Sequence, residues 1–302
     1  MLFHLRRIFV AAGFVCAAYC TGCERKQPSA VPTEPVRVFA TVHTVADLAR
    51  QVGGKYVEVD FAIENGRSLL GLQPSATVIQ QKNRAQIVLA GGSEPWAVAD
   101  ASNRLEPTRV IRLDALRGAP ASQPIDGLSD DAQIGLEWLD PVIGQRTVEE
   151  LARRLITLRP NHQVYFEARA KQVSDQLDAL LKEYEPKFRA APRRRVMSLT
   201  HEFDYLAERF NVDLVHILGT TVDRIGDREI GALLRASREE HLVTLIVRVD
   251  TSPGLMNDLA RRTGFRIIPM DPYGSSSANE RNGYVALLRY DMDQLLSALS
   301  GQ

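Results

Sequence analysis

The body of this chain beyond its first segment has no cysteine: all three, Cys16, Cys20 and Cys23, fall near the N-terminus. That excludes disulfides and cysteine-based metal sites downstream, and it removes the thiol nucleophile as well. Charge of one sign is missing too, since 37 basic residues balance 37 acidic ones. A neutral chain gives no electrostatic argument for nucleic acid or for an acidic partner. Most of the cations are Arg, and the run Arg193-Arg194-Arg195 has no interleaved aromatics, so it reads as a solvated strand entry. A Gly-x-Ser-x-Gly turn, a phosphate-binding glycine loop and a His-Glu-x-x-His helix are all absent. No Ser is placed by spacing to build a triad on Thr200-His201-Glu202, and no enzyme is expected.

What is present begins at the N-terminus. Basic Arg6 and Arg7 precede the apolar run Ile8 to Tyr19, and small residues follow up to Cys23, which is the order of a secretory signal peptide over residues 1–23. The run is too short to stay in a membrane as a permanent span. Thr21-Gly22-Cys23 resembles a lipobox, with Cys20 where Leu is usual. Cys23 would then be diacylated, become the mature N-terminus and tether the protein to a membrane leaflet facing the periplasm or the cell exterior. Residues 24–36 are polar and Pro-rich, a flexible tether.

The 302 residues suit two domains of ordinary size. From Val36 short apolar runs alternate with amphipathic stretches. Strands are expected at Val36 to Val42, Tyr56 to Ala62, Ala85 to Ala90 and Arg109 to Asp114, with helices at Val45 to Val52, Ala76 to Arg84 and Trp96 to Asn103. Leu116 to Asp131 is rich in Gly, Pro and Ser and reads as a loop. A long helical region, Thr147 to Arg189, is interrupted at Pro160. Phe166, Val173, Leu177, Leu180 and Tyr184 then share one face of a helix long enough to bridge two lobes. The second half repeats the alternation. Strands Arg195 to Thr200, Asp213 to Leu218, Leu242 to Asp250 and Phe265 to Met270 alternate with helices Glu202 to Phe210, Asp227 to Glu240 and Pro253 to Thr263, and Gly283 to Leu299 closes the chain. The fold class is α/β: two parallel-sheet lobes, residues 37–146 and 191–302, joined by a linking helical region at 147–190. Ligands of open parallel sheets sit beyond the carboxyl ends of the strands.

Several motifs fall in order along the body. They are Val52-Gly53-Gly54-Lys55-Tyr56-Val57-Glu58-Val59, Gly66 to Val78, Ala85-Gln86 leading into Leu89-Ala90-Gly91, and Glu94-Pro95-Trp96. Trp138-Leu139-Asp140-Pro141, Thr200 to Leu206, Leu259 to Gly264 and Met270-Asp271-Pro272 follow. In this order and spacing the chain resembles the metal-binding solute-binding proteins of bacterial ABC transporters, which carry zinc, manganese or iron. The resemblance implies Zn2+ or Mn2+ as the transported ligand, a permease and its ATPase as partners, and a monomer.

That family typically binds its metal through two His of the first lobe, a His or Glu at the start of the second, and an Asp near the end. The resemblance places the last two at His201 and Asp271. Leu70 and Leu136 stand where the first two belong, in GRSLLGLQP (Gly66 to Pro74) and IGLEWLDP (Ile134 to Pro141), with Ser68 and Leu72 also replacing family residues. His43, just after the first strand, offers a replacement ligand. Glu137 and Glu94 are possible oxygen donors, the first one position from the lost His and the second in a turn, and neither is assigned. His162, His216 and His241 are read as solvent or packing residues.

Two functions compete on these residues. The first is a lipid-tethered carrier that captures a divalent ion between its lobes for delivery to a permease. The second is a scaffold that no longer binds metal and uses Leu70, Leu72 and Leu136 as an apolar cleft floor for a small organic ligand, or as an interaction module. A rigid linking helix also favours small tilts of the lobes over wide closure.

Overall fold

In the computed structural model the described residues are 34–63, 72–91, 94–98, 107–117, 136–217 and 225–300. The expectations for Cys23, Ser68 and Leu70, and most of the 116–131 loop, lie outside them.

The first half forms a four-stranded parallel sheet from β1 (Val36–Val42), β2 (Val57–Ile63), β3 (Ile87–Ala90) and β4 (Val110–Arg112), in the order β2-β1-β3-β4. The central strands carry unbroken apolar runs: every residue of β3 and all but Arg37 of β1 are buried, as a sheet covered on both faces requires. The edge strands β2 and β4 are half-buried. Helices α1 (His43–Gly53), α2 (Ala76–Arg84), α3 (Pro95–Val98) and α4 (Leu113–Arg117) belong to this half. Gly54 ends α1 at φ 53°, where its missing side chain admits the Tyr165 hydroxyl.

The second half repeats the order. Strands β5 (Arg195–Ser198), β6 (Asp213–His216), β7 (Thr244–Arg248) and β8 (Arg266–Met270) pair in parallel as β6-β5-β7-β8. Helices α7 (Asp204–Arg209), α8 (Asp227–Glu240), α9 (Pro253–Thr263) and α10 (Tyr284–Leu299) accompany them. In each sheet the winding reverses beside the first strand, so the carboxyl ends of β1 and β3, and of β5 and β7, flank a switch point.

Between the halves run α5 (Pro141–Leu158) and α6 (Gln163–Ala190). Asp140 caps α5 by accepting from Val142 N–H at 2.9 Å, and Pro141 occupies the first turn, where its missing N–H costs nothing. At 28 residues α6 is about 42 Å long. It passes through Pro186 to Ala190, because the lost N–H falls only in its last turns. Near its start Tyr165 meets Tyr56 edge-on at 4.9 Å, and near its end Phe188 stacks on Phe210 at 4.1 Å, so one helix serves both lobes. The C-terminal α10 packs on β8 and also on α1 and α6. One apolar core therefore runs from Val36 and Leu48 through Leu151, Leu177 and Tyr184 to Ile246, Ile268 and Leu295. A separate cluster, with Met197, Leu233, Leu245 and Leu259 among its members, fills the outer side of the second sheet. A shared core makes the interface between lobes as costly to open as any interior.

A candidate metal centre at the head of the second lobe

β5 ends at Ser198, and Leu199 to Phe203 carry the chain into α7. β6 lies beside β5 with Ser198 paired to His216, which sets His216 next to the turn that carries His201. Asp204 opens α7 three residues after His201. The three side chains converge there. His201 Nδ1 stands 2.9 Å from Asp204 Oδ2, and His216 Nε2 stands 2.9 Å from Asp204 Oδ1. The two imidazoles stack with centroids 3.6 Å apart and planes at 29°. One ligand atom from each of the three lies within 4.8 Å of the others, the only such group of His, Cys, Asp and Glu among the described residues.

Burial works to raise the Asp204 carboxyl, but the hydrogen bonds from His201 and His216 outweigh it and hold Asp204 below the usual carboxylate range. The remaining ring nitrogens, His201 Nε2 and His216 Nδ1, are buried without a hydrogen-bond partner. Two imidazoles and a carboxylate converging on one space are the donor set that zinc and related divalent ions take.

The sequence points to His201 alone of the three, and His216 reads there as a solvent or packing residue. The apolar pattern predicts a strand as far as Leu218, with His216 in mid-strand, whereas β6 ends at His216 itself. The same pattern predicts a helix from Glu202, whereas α7 begins at Asp204, whose carboxylate lies against His201 and His216. The rule that ligands gather at the carboxyl ends of parallel strands would have marked both.

Glu202, beside His201, faces elsewhere. Its carboxylate accepts from the Tyr273 hydroxyl at 2.6 Å, Arg248 Nη1 at 3.1 Å and the Thr200 hydroxyl at 2.9 Å. Burial raises its pKa, and the Arg248 guanidinium pulls the other way.

The structure does not bring Asp271 or His43 into the cluster. Asp271 is 1% exposed and both its oxygens are engaged. Oδ1 accepts from the Tyr273 and Gly274 N–H groups at 3.0 Å each, and Oδ2 from Arg281 Nη1 at 2.9 Å. Its own N–H donates to Asp291 Oδ1 at 2.8 Å, on a carboxyl that complete burial drives well above its ordinary pKa. His43 opens α1 at the end of β1, with its ring edge-on to Phe61 at 5.3 Å. Leu136 is 1% exposed and its N–H donates to the Glu202 carbonyl at 3.1 Å. Leu72 is half-buried against the main core.

Residues 38–298 match the family described as zinc-uptake complex component A periplasmic. The chain belongs to that family. Its zinc-uptake relatives include the high-affinity zinc uptake system protein ZnuA of Bacillus subtilis, 20% identical over 96% of this chain and 96% of that one. The manganese ABC transporter substrate-binding lipoprotein PsaA of Streptococcus anginosus is 19% identical over 95% of this chain and 96% of its own length. Among solved structures, the Zn(II)-bound ZnuA-like domain of Streptococcus pneumoniae AdcA superposes with a TM-score of 0.71 at 19% identity, covering 88% of this chain and 99% of that domain. The zinc-uptake family is one of transporter components and not an enzyme class. Nothing among these likenesses supports a scaffold that has given up its ion.

Proposed function

We propose that this protein captures a divalent transition metal, zinc or manganese, outside the cytoplasmic membrane and delivers it to an ABC permease driven by its ATPase. The observation that carries the reading is the convergence of His201, Asp204 and His216 on one space. Two nitrogen donors and one oxygen favour zinc over manganese, since imidazole suits zinc and oxygen-rich sites suit manganese. Three protein ligands leave a position open, which suits a carrier that must release its ion. The name of the AdcA domain, a zinc-bound relative in fold, is consistent with this cargo.

In the same reading Cys23 carries the lipid anchor, and the protein works as a tethered monomer. Asp271 holds the loop after β8 together through Arg281 and two backbone N–H groups, and His43 packs at the end of β1. Zinc titration of the processed protein by calorimetry tests the site. Tight 1:1 binding lost in His201→Ala and His216→Ala is expected, and binding indifferent to both would overturn it.

A further inference from the structure

Of the three converging side chains, Asp204 begins α7 and His216 ends β6, so regular backbone sets both. His201 stands in the irregular turn between β5 and α7. A site works only if each group is held to within about 0.5 Å of its productive place, and a turn needs side chains to hold it so. The residues on either side of His201 close on each other. The Thr200 hydroxyl donates to Glu202 Oε2 at 2.9 Å and accepts from the Glu202 N–H at 3.2 Å, while the Thr200 carbonyl accepts from the Ser198 hydroxyl at 2.7 Å. This clasp sets the bend at His201.

The other Glu202 oxygen ties the clasp to the rest of the second lobe. Oε1 accepts from the Tyr273 hydroxyl at 2.6 Å, in the loop after β8, and from Arg248 Nη1 at 3.1 Å, at the end of β7. Arg248 is itself bidentate on Asp250, at 2.8 and 2.6 Å. From the segment leading into α5, the Leu136 N–H donates to the Glu202 carbonyl at 3.1 Å. The turn is thus fixed from β7, from the loop after β8 and from the first half of the chain. All three side-chain partners of the Glu202 carboxylate donate, and a carboxylate, which only accepts, satisfies them together in charge-assisted bonds. Glu202 is 2% exposed, so a bond lost there is not replaced from bulk water.

We propose that Glu202 is a positioning residue of the metal centre: it lies outside the ligand set and, through Thr200, Tyr273 and Arg248, holds the turn that presents His201 to Asp204 and His216. The inference rests on the reading of those three side chains as the zinc ligands. Partners that orient a ligand without touching the ion are worth about 10–100-fold in metal affinity, and Glu202, which acts through the backbone of His201, belongs at the lower end.

The test is calorimetric titration of the processed, metal-free protein with Zn2+, alongside the visible absorption of the Co2+-loaded forms, which reads ligand geometry. Glu202→Ala is expected to weaken Zn2+ binding about tenfold and to shift the Co2+ bands. Tyr273→Phe keeps the ring and removes one hydroxyl that bonds Glu202, so it supplies a milder variant should Glu202→Ala fold poorly, and it is expected to weaken binding to a smaller extent. Glu202→Gln keeps an acceptor for Arg248 and can offer an amide N–H to the Thr200 hydroxyl, so affinity and Co2+ bands close to native are expected. Native affinity and bands in both Glu202→Ala and Tyr273→Phe, with binding still lost in His201→Ala, overturn the positioning role and leave the ligand set standing. A Glu202→Gln protein as weak as Glu202→Ala overturns it too, because charge and not the clasp would then be at work. Zinc binding that survives His201→Ala overturns the ligand set, and this role with it.

Discussion

His201 and His216 lie face to face, 3.6 Å between ring centroids, and each turns one nitrogen to a different oxygen of the same Asp204 carboxylate. Stacked imidazoles that both carried a proton would repel. A divalent ion held by the three would take the place of protons on its ligands. The three side chains thus converge as one candidate ligand set. The consequences can be measured.

Asp204→Asn keeps the shape of the cluster and removes its negative charge. Zinc affinity is expected to fall by about 100-fold or more, since a metal ligand matters at least as much as the outer-shell partners whose loss costs ~10–100-fold. Calorimetric titration at constant pH checks it, and an unchanged affinity would remove Asp204 from the ligand set.

Asp271→Ala acts on stability and not on capture. It strips acceptors from two buried N–H groups and leaves Arg281 Nη1 without its carboxylate. Breaking such a pair costs about 3–5 kcal/mol, so urea unfolding of the metal-free variant is expected to shift by that amount. Zinc binding abolished with stability intact would show instead that Asp271 is a ligand.

Leu136→His tests whether the family's histidine can simply be restored. Leu136 is 1% exposed and packs in the main core, so a polar ring there costs on the order of a few kcal/mol by cavity and polar-burial terms. Lower stability without a gain in zinc affinity is the expected pair of results from melting and titration. A stable variant that binds zinc more tightly would mean that the first lobe has kept a metal cleft at this position.

The pH dependence of stability carries the mark of Glu94. Its carboxyl rises from an ordinary 4.5 to about 7 on folding, so the folded state holds the proton more tightly than the unfolded one. Stability from this group is complete below pH 4.5, declines as pH rises, and is lost above about 7. At about 1.4 kcal/mol for each tenfold change in proton affinity, the decline amounts to about 3 kcal/mol. Denaturant unfolding in chelator between pH 4.5 and 8 is expected to be steeper for the native protein than for Glu94→Gln. Parallel curves would assign the decline to other groups.

Much of the fold can be read from local signals. Helices α2 and α9 start and stop where the sequence says, because Ser75 and Ser252 accept from the third following N–H and Gly264, at φ 74°, ends α9. The parallel pairing in both sheets follows from the alternation of strand and helix. The site is less legible because its geometry is tertiary. Nothing local tells His216 that its strand will lie beside β5, and a two-residue overreach at the strand end hid its position at the carboxyl edge. The same holds for Glu94 and Glu137, which are 43 positions apart in sequence and both come close to Gly91. The resemblance of motifs points to Asp271, whose carboxylate accepts from Arg281 in the structure.

The most direct measurement is native mass spectrometry with elemental analysis of the processed protein, purified without chelator or His tag, alongside His216→Ala. One zinc per chain in the native protein, absent from His216→Ala, is the expected result. Zinc retained by His216→Ala at full stoichiometry would contradict the central claim that His201, Asp204 and His216 hold the ion.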